Sequence, residues 1–199
     1  PMIRSGADLL ASAQTGTGKT AAFSLPILDL LAKNTTQGHT IKALVLTPTR
    51  ELAAQVTENM KAYSQFLPLK IGVVYGGGKL TSQTNLLKQG PYVLVATPGR
   101  LIEHLTLRNV DLSQVKHLIL DEADRMLDMG FLTDIEKLME VIKHKHQTLM
   151  FSATYSNKVK SLANQLLTTP KVVGVAKENS TSGKVKQSVY WVSEARKRE

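Results

Sequence analysis

Short runs of nearly unbroken valine, leucine and isoleucine recur along the chain, separated by longer stretches with apolar residues three or four positions apart. The runs fall at 8–13, 42–47, 70–75, 92–97, 117–121, 148–153 and 171–176. A strand that is apolar at consecutive positions has no side left for solvent, so each run predicts a strand covered on both faces. The stretches between them read as helices. At 49–66 the residues Leu52, Val56 and Met60 share one stripe, and 156–167 is patterned in the same way. Such alternation predicts an α/β fold with a mostly parallel, doubly wound sheet and helices on both faces. The sequence contains no internal repeat.

At Lys177 the pattern changes. "KENSTSGK" is polar and contains Gly and Ser, as a linker does, and "VKQSVYWV" then resembles the start of a new strand. Residues 1–176 are therefore expected to form one domain, with 177–199 a linker and the start of a second. The alternative is one more strand on the edge of the first sheet. The chain's 199 residues suffice for a compact domain with a core. It has no cysteine, which excludes disulfides and thiolate metal sites and fits a reducing compartment, so a cytoplasmic location is expected. No charged-then-apolar leader and no apolar run of ~20 residues is present, so the expectation is a soluble protein away from membranes, monomeric as it stands. The formal charge of +9 points to an anionic partner without naming one.

Chemistry first becomes specific in "SAQTGTGKTAAF". Ala13, Gln14, Thr15, Gly16, Thr17, Gly18, Lys19 and Thr20 follow a predicted strand and open a helix, as a phosphate-binding loop does. Gly16 and Gly18 let successive backbone N–H groups turn toward phosphate oxygens, and the helix N-terminus adds partial positive charge. Lys19 can reach terminal phosphates, and the Thr20 hydroxyl can ligate Mg²⁺. One position departs from the general formula, because Ala13 stands where a glycine is usual. The competing account is a glycine-rich turn that caps a helix, with Lys19 merely solvated.

A triphosphate site also needs an acidic residue at the end of a neighbouring strand. "HLILDEAD" supplies Asp121 to orient the metal's water and Glu122 to act as general base on the attacking water. Asp124 is left for another partner. With Asp-Glu-Ala-Asp at 121–124 the whole chain resembles the N-terminal RecA-like domain of a DEAD-box RNA helicase, and "RMLDMGF" is most similar to the RhlE-like branch. In that family the loop is written A-x-T-G-x-G-K-T, which accounts for Ala13. The resemblance implies a RecA-like three-layer sandwich that uses ATP and Mg²⁺, with Lys19, Asp121 and Glu122 catalytic.

It also implies RNA-backbone contacts from Pro48, Thr49, Arg50 and Glu51, from Gly76 and Gly77, and from Thr97, Pro98, Gly99 and Arg100. Hydroxyls, guanidinium forks and bare glycine backbone suit phosphates and carry no base identity, so binding should be sequence-independent. Each group has a plainer account as helix caps, a turn, or a proline opening a helix. Ser152 and Thr154 of "SAT" are implied to hydrogen-bond with Asp124 and couple nucleotide state to RNA. The phosphate loop, the acidic motif and "SAT" all end predicted parallel strands, where ligands of such sheets collect.

Further implications concern the complete protein. An adenine-reading segment is expected upstream of a position like Pro1, and a second RecA-like domain with an arginine finger beyond Glu199. Residues 1–199 alone are then expected to bind nucleotide weakly and hardly hydrolyse it. The same motifs would serve an ATP-gated RNA clamp or assembly platform. An unrelated phosphate-loop kinase would need a second substrate pocket and lids. His144 and His146 read as part of a solvated basic loop, Met126, Leu127, Met129 and Phe131 as core, Trp191 as buried in the second domain, and "ARKRE" as solvated.

Overall fold

The computed structural model describes residues 1–13, 16–33 and 40–174. Every predicted apolar run became a strand: β1 (Leu9–Ser12), β2 (Ala43–Leu46), β3 (Ile71–Val74), β4 (Val93–Ala96), β5 (His117–Leu120), β6 (Gln147–Ser152) and β7 (Lys171–Gly174). They form one sheet of seven strands in the order β3-β4-β2-β5-β6-β1-β7. All pairs are parallel, with Leu9 opposite Leu149 and Ala43 opposite both Val93 and His117. Residues 177–199, with the expected linker, the "VKQSVYWV" strand, Trp191 and "ARKRE", lie outside the described residues.

Helices α1 (Lys19–Lys33) and α2 (Arg50–Tyr63) cover one face of the sheet. The opposite face carries α3 (Leu80–Lys88), α4 (Pro98–Thr106), α5 (Ala123–Asp128), α6 (Leu132–Val141) and α7 (Asn157–Leu166). Neighbouring strand residues divide between the two layers. Ala43 and Val45 pack with Phe23, Ile27 and Met60, whereas Leu44 and Leu46 pack with Leu101, Met126 and Val159. That division is why the runs are apolar without alternation. Full burial of a side chain such as Ile27 or Met60 contributes about 1.5–3 kcal/mol.

Met126 is fully buried, and Leu127 and Phe131 pack partly buried against the core. Met129 is a correction. It caps the C-terminus of α5 and is 48% exposed, because the helix ends there and turns its last residue outward. His146 turns its Nδ1 to the His144 carbonyl at 2.7 Å in the loop before β6.

Candidate active site

Parallel strands deliver their carboxyl ends to one edge, and the ends of β1, β5 and β6 bring the sequence motifs together there. The Ala13 N–H donates to the Ser152 carbonyl at 2.9 Å, so the chain stays in register past β1 before it turns. Gly16 (φ 79°) and Gly18 (φ 85°) then take the left-handed conformation that glycine adopts without strain. The turn delivers Lys19 as the first residue of α1, only 9% exposed, with its Nζ 3.9 Å from Asp121 Oδ1. Gln14 and Thr15 lie outside the described residues.

Lys19 Nζ is buried and has no hydrogen-bond partner among the described residues. An ammonium in that condition forfeits several kcal/mol of hydration, which an anionic ligand would restore. A cleft of about 340 Å³ opens beside it, lined by Gly16, Gly18, Lys19, Thr20, Asp121 and Glu122. Its far wall is Leu52, Gln55, Asn59 and Tyr63 of α2, a side of the site that the motifs did not announce. The residues fit a polyphosphate with its metal: a buried cation without a hydrogen bond and a helix N-terminus for phosphate, a hydroxyl and a carboxylate for a hard cation. Burial pushes the Asp121 carboxyl up, against the pull of the Lys19 ammonium. A second cavity of about 390 Å³ meets the first at Lys19, with largely apolar walls that include Ala13, Ala22, Pro26 and Phe151.

Past Asp121 the backbone turns sharply. Glu122 sits at φ 52°, ψ 52°, a left-handed conformation that costs a non-glycine residue about 1–3 kcal/mol. Its N–H is held by Asp121 Oδ1 at 3.0 Å, and its carboxylate lies 3.4 Å from Arg125. The structure joins Thr154 of "SAT" to Asp124 but, in correction of the implied pairing, not Ser152. The backbone N–H of Thr154, not a hydroxyl, donates to Asp124 Oδ2 at 3.0 Å, and Ser152 Oγ donates to the Thr154 carbonyl at 2.8 Å. A rigid main-chain donor leaves both hydroxyls without a direct bond to the carboxylate.

The remaining motif residues line the same edge on the β2, β3 and β4 side. Thr49 caps α2, accepting from the Leu52 N–H at 3.3 Å, while Arg50 and Glu51 pair at 2.6 Å and stay exposed. Pro48 is buried. Gly77 (φ 84°) lies so near Arg50 that a Cβ there would come 3.4 Å from the guanidinium, and Gly76 faces open space. Thr97 precedes α4, Pro98 is its first residue, and Gly99 is exposed. Arg100 departs from a free cationic fork. Its Nη1 donates to the Gly78 carbonyl at 3.0 Å and its Nε pairs with Glu103 at 2.9 Å, with the side chain 11% exposed.

A buried polar network behind these glycines escaped the sequence reading. Gln83 on α3 clamps Tyr75, accepting from its N–H at 3.3 Å and donating to its carbonyl at 3.0 Å. His104 on α4 lies 3.4 Å from Gln83 Oε1, and Asn109 Nδ2 lies 3.4 Å from His104 Nδ1. Because Gln83 Oε1 accepts and the Asn109 amide donates, the network requires the neutral tautomer with hydrogen on Nε2. Burial holds the His104 pKa below its ordinary value, with the Arg100 charge adding to the effect. The only advance signal was a glutamine and a histidine among helical residues, which carries no information until the partners are known.

Comparison with known proteins agrees with this geometry. A DEAD/DEAH box helicase family profile matches residues 1–162. The DEAD-box ATP-dependent RNA helicase RhpA of Helicobacter pylori is 43% identical over 194 residues, 98% of this chain and 39% of the relative. The ATP-dependent RNA helicase DeaD of Buchnera aphidicola is 44% identical over 204 residues, 99% of this chain and 32% of the relative. The chain thus spans about two-fifths or less of the curated relatives it matches. Among solved structures, a hypothetical ATP-dependent RNA helicase from Sulfolobus tokodaii superposes with a TM-score of 0.80 at 34% identity, covering 88% of this chain and 50% of that one. The yeast DEAD-box splicing factor Prp28 gives 0.83 at 32% identity, covering 88% and 42%. With the phosphate loop, the Asp-Glu-Ala-Asp turn and "SAT" assembled at one edge of a RecA-like sheet, the chain belongs to the DEAD/DEAH box helicase family.

Proposed function

We propose that this domain is the ATP-binding core of an ATP-dependent RNA helicase, which clamps RNA by its backbone and locally separates short duplexes. The observation that carries this function is the buried Lys19 ammonium, without a hydrogen-bond partner, in one cleft with Thr20, Asp121 and Glu122. Loop amides from Ala13 to Thr20 and Lys19 would hold the phosphates; Thr20 and, through water, Asp121 would hold Mg²⁺. Bound Mg²⁺ would neutralise charge on the phosphate oxygens. Glu122, steered by Arg125, accepts a proton from the attacking water. The apolar cavity beside Lys19 suits the nucleoside end and offers little to discriminate bases, in keeping with weak base selectivity from these residues alone.

RNA would lie across Pro48–Glu51, Gly76 and Gly77, and Thr97–Arg100. The Thr154–Asp124 bond would transmit the nucleotide state from the acidic turn. Residues 1–176 would act as one domain, completed by an upstream adenine-reading segment and by a second RecA-like domain that would start within 177–199. A reducing, cytoplasmic setting accords with the absence of cysteine. The test is RNA-stimulated ATP turnover and strand separation by the full-length protein. Turnover indifferent to RNA would overturn this function. Stable RNA retention without separated strands would move it to an ATP-gated clamp.

A further inference from the structure

The other edge of the sheet carries charge that the site above does not use. Parallel strands place all their amino ends together, and backbone bonds define a row one residue before the paired strands. Tyr92 N donates to Lys70 O, Lys42 N to Tyr92 O, Lys116 N to Lys42 O, and Gln147 N to Lys116 O, at 2.8–2.9 Å. Lys70, Tyr92, Lys42 and Lys116 therefore stand in one row across β3, β4, β2 and β5, about 4.8 Å per strand, with Tyr92 between Lys70 and Lys42. The loop into β6 continues the row with Lys143 and Lys145, and β7 begins with Lys171. Lys88, at the end of α3, and Arg108, after α4, flank it.

Among the described residues none of these cations forms an ion pair. The acids nearby are fewer than these cations, and among the described residues none of them pairs with one of these cations. Both carboxylate oxygens of Asp8 accept backbone N–H groups, from Thr148 and Thr168, and Asp111 accepts from Ser113. Glu140, in the last turn of α6, and Asp29, near the end of α1 and paired with Arg4 and Lys33, are further acids on this edge. At the β3 end of the row, in the loop after α2, Phe66 is 90% exposed. A line of unneutralised lysines with an aromatic ring beside it matches what single-stranded nucleic acid needs: point charges for phosphates and a face on which a base can stack. A protein partner would instead call for a desolvated apolar centre.

We infer that the amino edge of the sheet is a second RNA-binding surface, which holds a single-stranded stretch of the substrate outside the clamp through Lys42, Lys70, Lys116, Lys143 and Lys145, with a base on Phe66. This inference rests on the RNA-remodelling function proposed above. It gives the high net charge a location and a use, tethering long RNA while the carboxyl edge cycles.

The test uses the full-length protein with two RNA probes, a long single strand and an oligonucleotide too short to reach from one edge to the other. The variant Lys42→Gln/Lys116→Gln/Lys143→Gln/Lys145→Gln should bind the long strand at least about tenfold more weakly at low salt, with a salt slope shallower by about 0.7 for each phosphate no longer neutralised. Its affinity for the short oligonucleotide and for nucleotide should not change. The same four positions changed to Arg should bind like the parent protein. Phe66→Ala should weaken long-strand binding about 5-fold or more with an unaltered slope, since stacking releases no counterions. Unchanged long-strand affinity and slope in the Gln variant would overturn the inference, as would equal weakening in the Arg variant. Binding of polyglutamate as tight as that of the long strand would overturn it in favour of an acidic protein partner. If the parent protein bound neither RNA, the proposed function would fall, and this inference with it.

Discussion

The two edges of one sheet hold their cations in opposite ways. At the carboxyl edge every arginine has a carboxylate partner, Arg50 with Glu51, Arg100 with Glu103 and Arg125 with Glu122, and Lys19 lies against Asp121. At the amino edge Lys70, Lys116, Lys143, Lys145 and Lys171 stand exposed and Lys42 half-buried, and none of these six forms an ion pair among the described residues. Net charge is therefore a poor guide to where chemistry happens. A site that positions phosphates needs few cations, each fixed by neighbours, whereas a surface that attracts a polyanion needs many that are free.

Breaking the carboxyl edge should have the largest effects. Glu122→Gln in the full-length protein should retain nucleotide and RNA while lowering kcat by about 10²–10⁴, the usual worth of a general base. Equal loss of binding and turnover would reassign Glu122 to binding. Lys19→Ala should weaken ATP binding about 10- to 100-fold, as expected for losing charged hydrogen bonds to phosphate. Titration with a fluorescent nucleotide checks this, and an unchanged Kd would remove Lys19 from the phosphate site.

The comparison sharpens with residues that shape the edge without touching nucleotide. Gln83→Ala leaves the Tyr75 N–H and carbonyl without their clamp and should cost about 1–3 kcal/mol of stability. RNA affinity should fall as the Gly76–Gly77 loop loosens, and nucleotide affinity should hold. A parallel fall in nucleotide affinity would show that the clamp serves the whole domain. Arg100→Ala should weaken RNA binding with little change in salt slope, because its guanidinium is already spent on Gly78 and Glu103. A slope change as large as that of the amino-edge variant would show Arg100 reaching phosphate directly.

The smallest effect is on pH dependence. Burial holds His104 and His117 below the ordinary histidine value of 6.5. Each therefore binds its proton less readily folded than unfolded, and its contribution is complete above pH 6.5 and declines as pH falls below it. The melting temperature should drop between about pH 7.5 and 5.5, and calorimetry across that range checks it. A melting temperature that rises toward acid would contradict the neutral tautomer assigned to His104.

Much of this was open to inspection before any coordinates. Unbroken apolar runs can exist only where both faces are covered, so strands, helices and their parallel arrangement followed from patterning. The phosphate loop and the acidic turn were equally plain, because backbone chemistry ties glycines, lysine and strand ends to fixed spacings. Thr49 and Arg100 show where that stops. A threonine before a helix reads alike as cap or ligand, and the structure makes Thr49 a cap. An arginine reads as a free cation until its neighbours are known, and Arg100 is largely enclosed.

The sequence by itself determined the secondary elements, the layered class of the fold and the motifs proposed to hold a metal-bound triphosphate, because each follows from contacts within a few positions along the chain. Only the tertiary structure decided the strand order, the burial of Lys19 against Asp121, the Gln83–His104 clamp behind the glycine loop and the row of lysines along the amino edge. Those depend on which distant segments become neighbours. That choice is made by packing over the whole sheet, and no local stretch of the chain contains it.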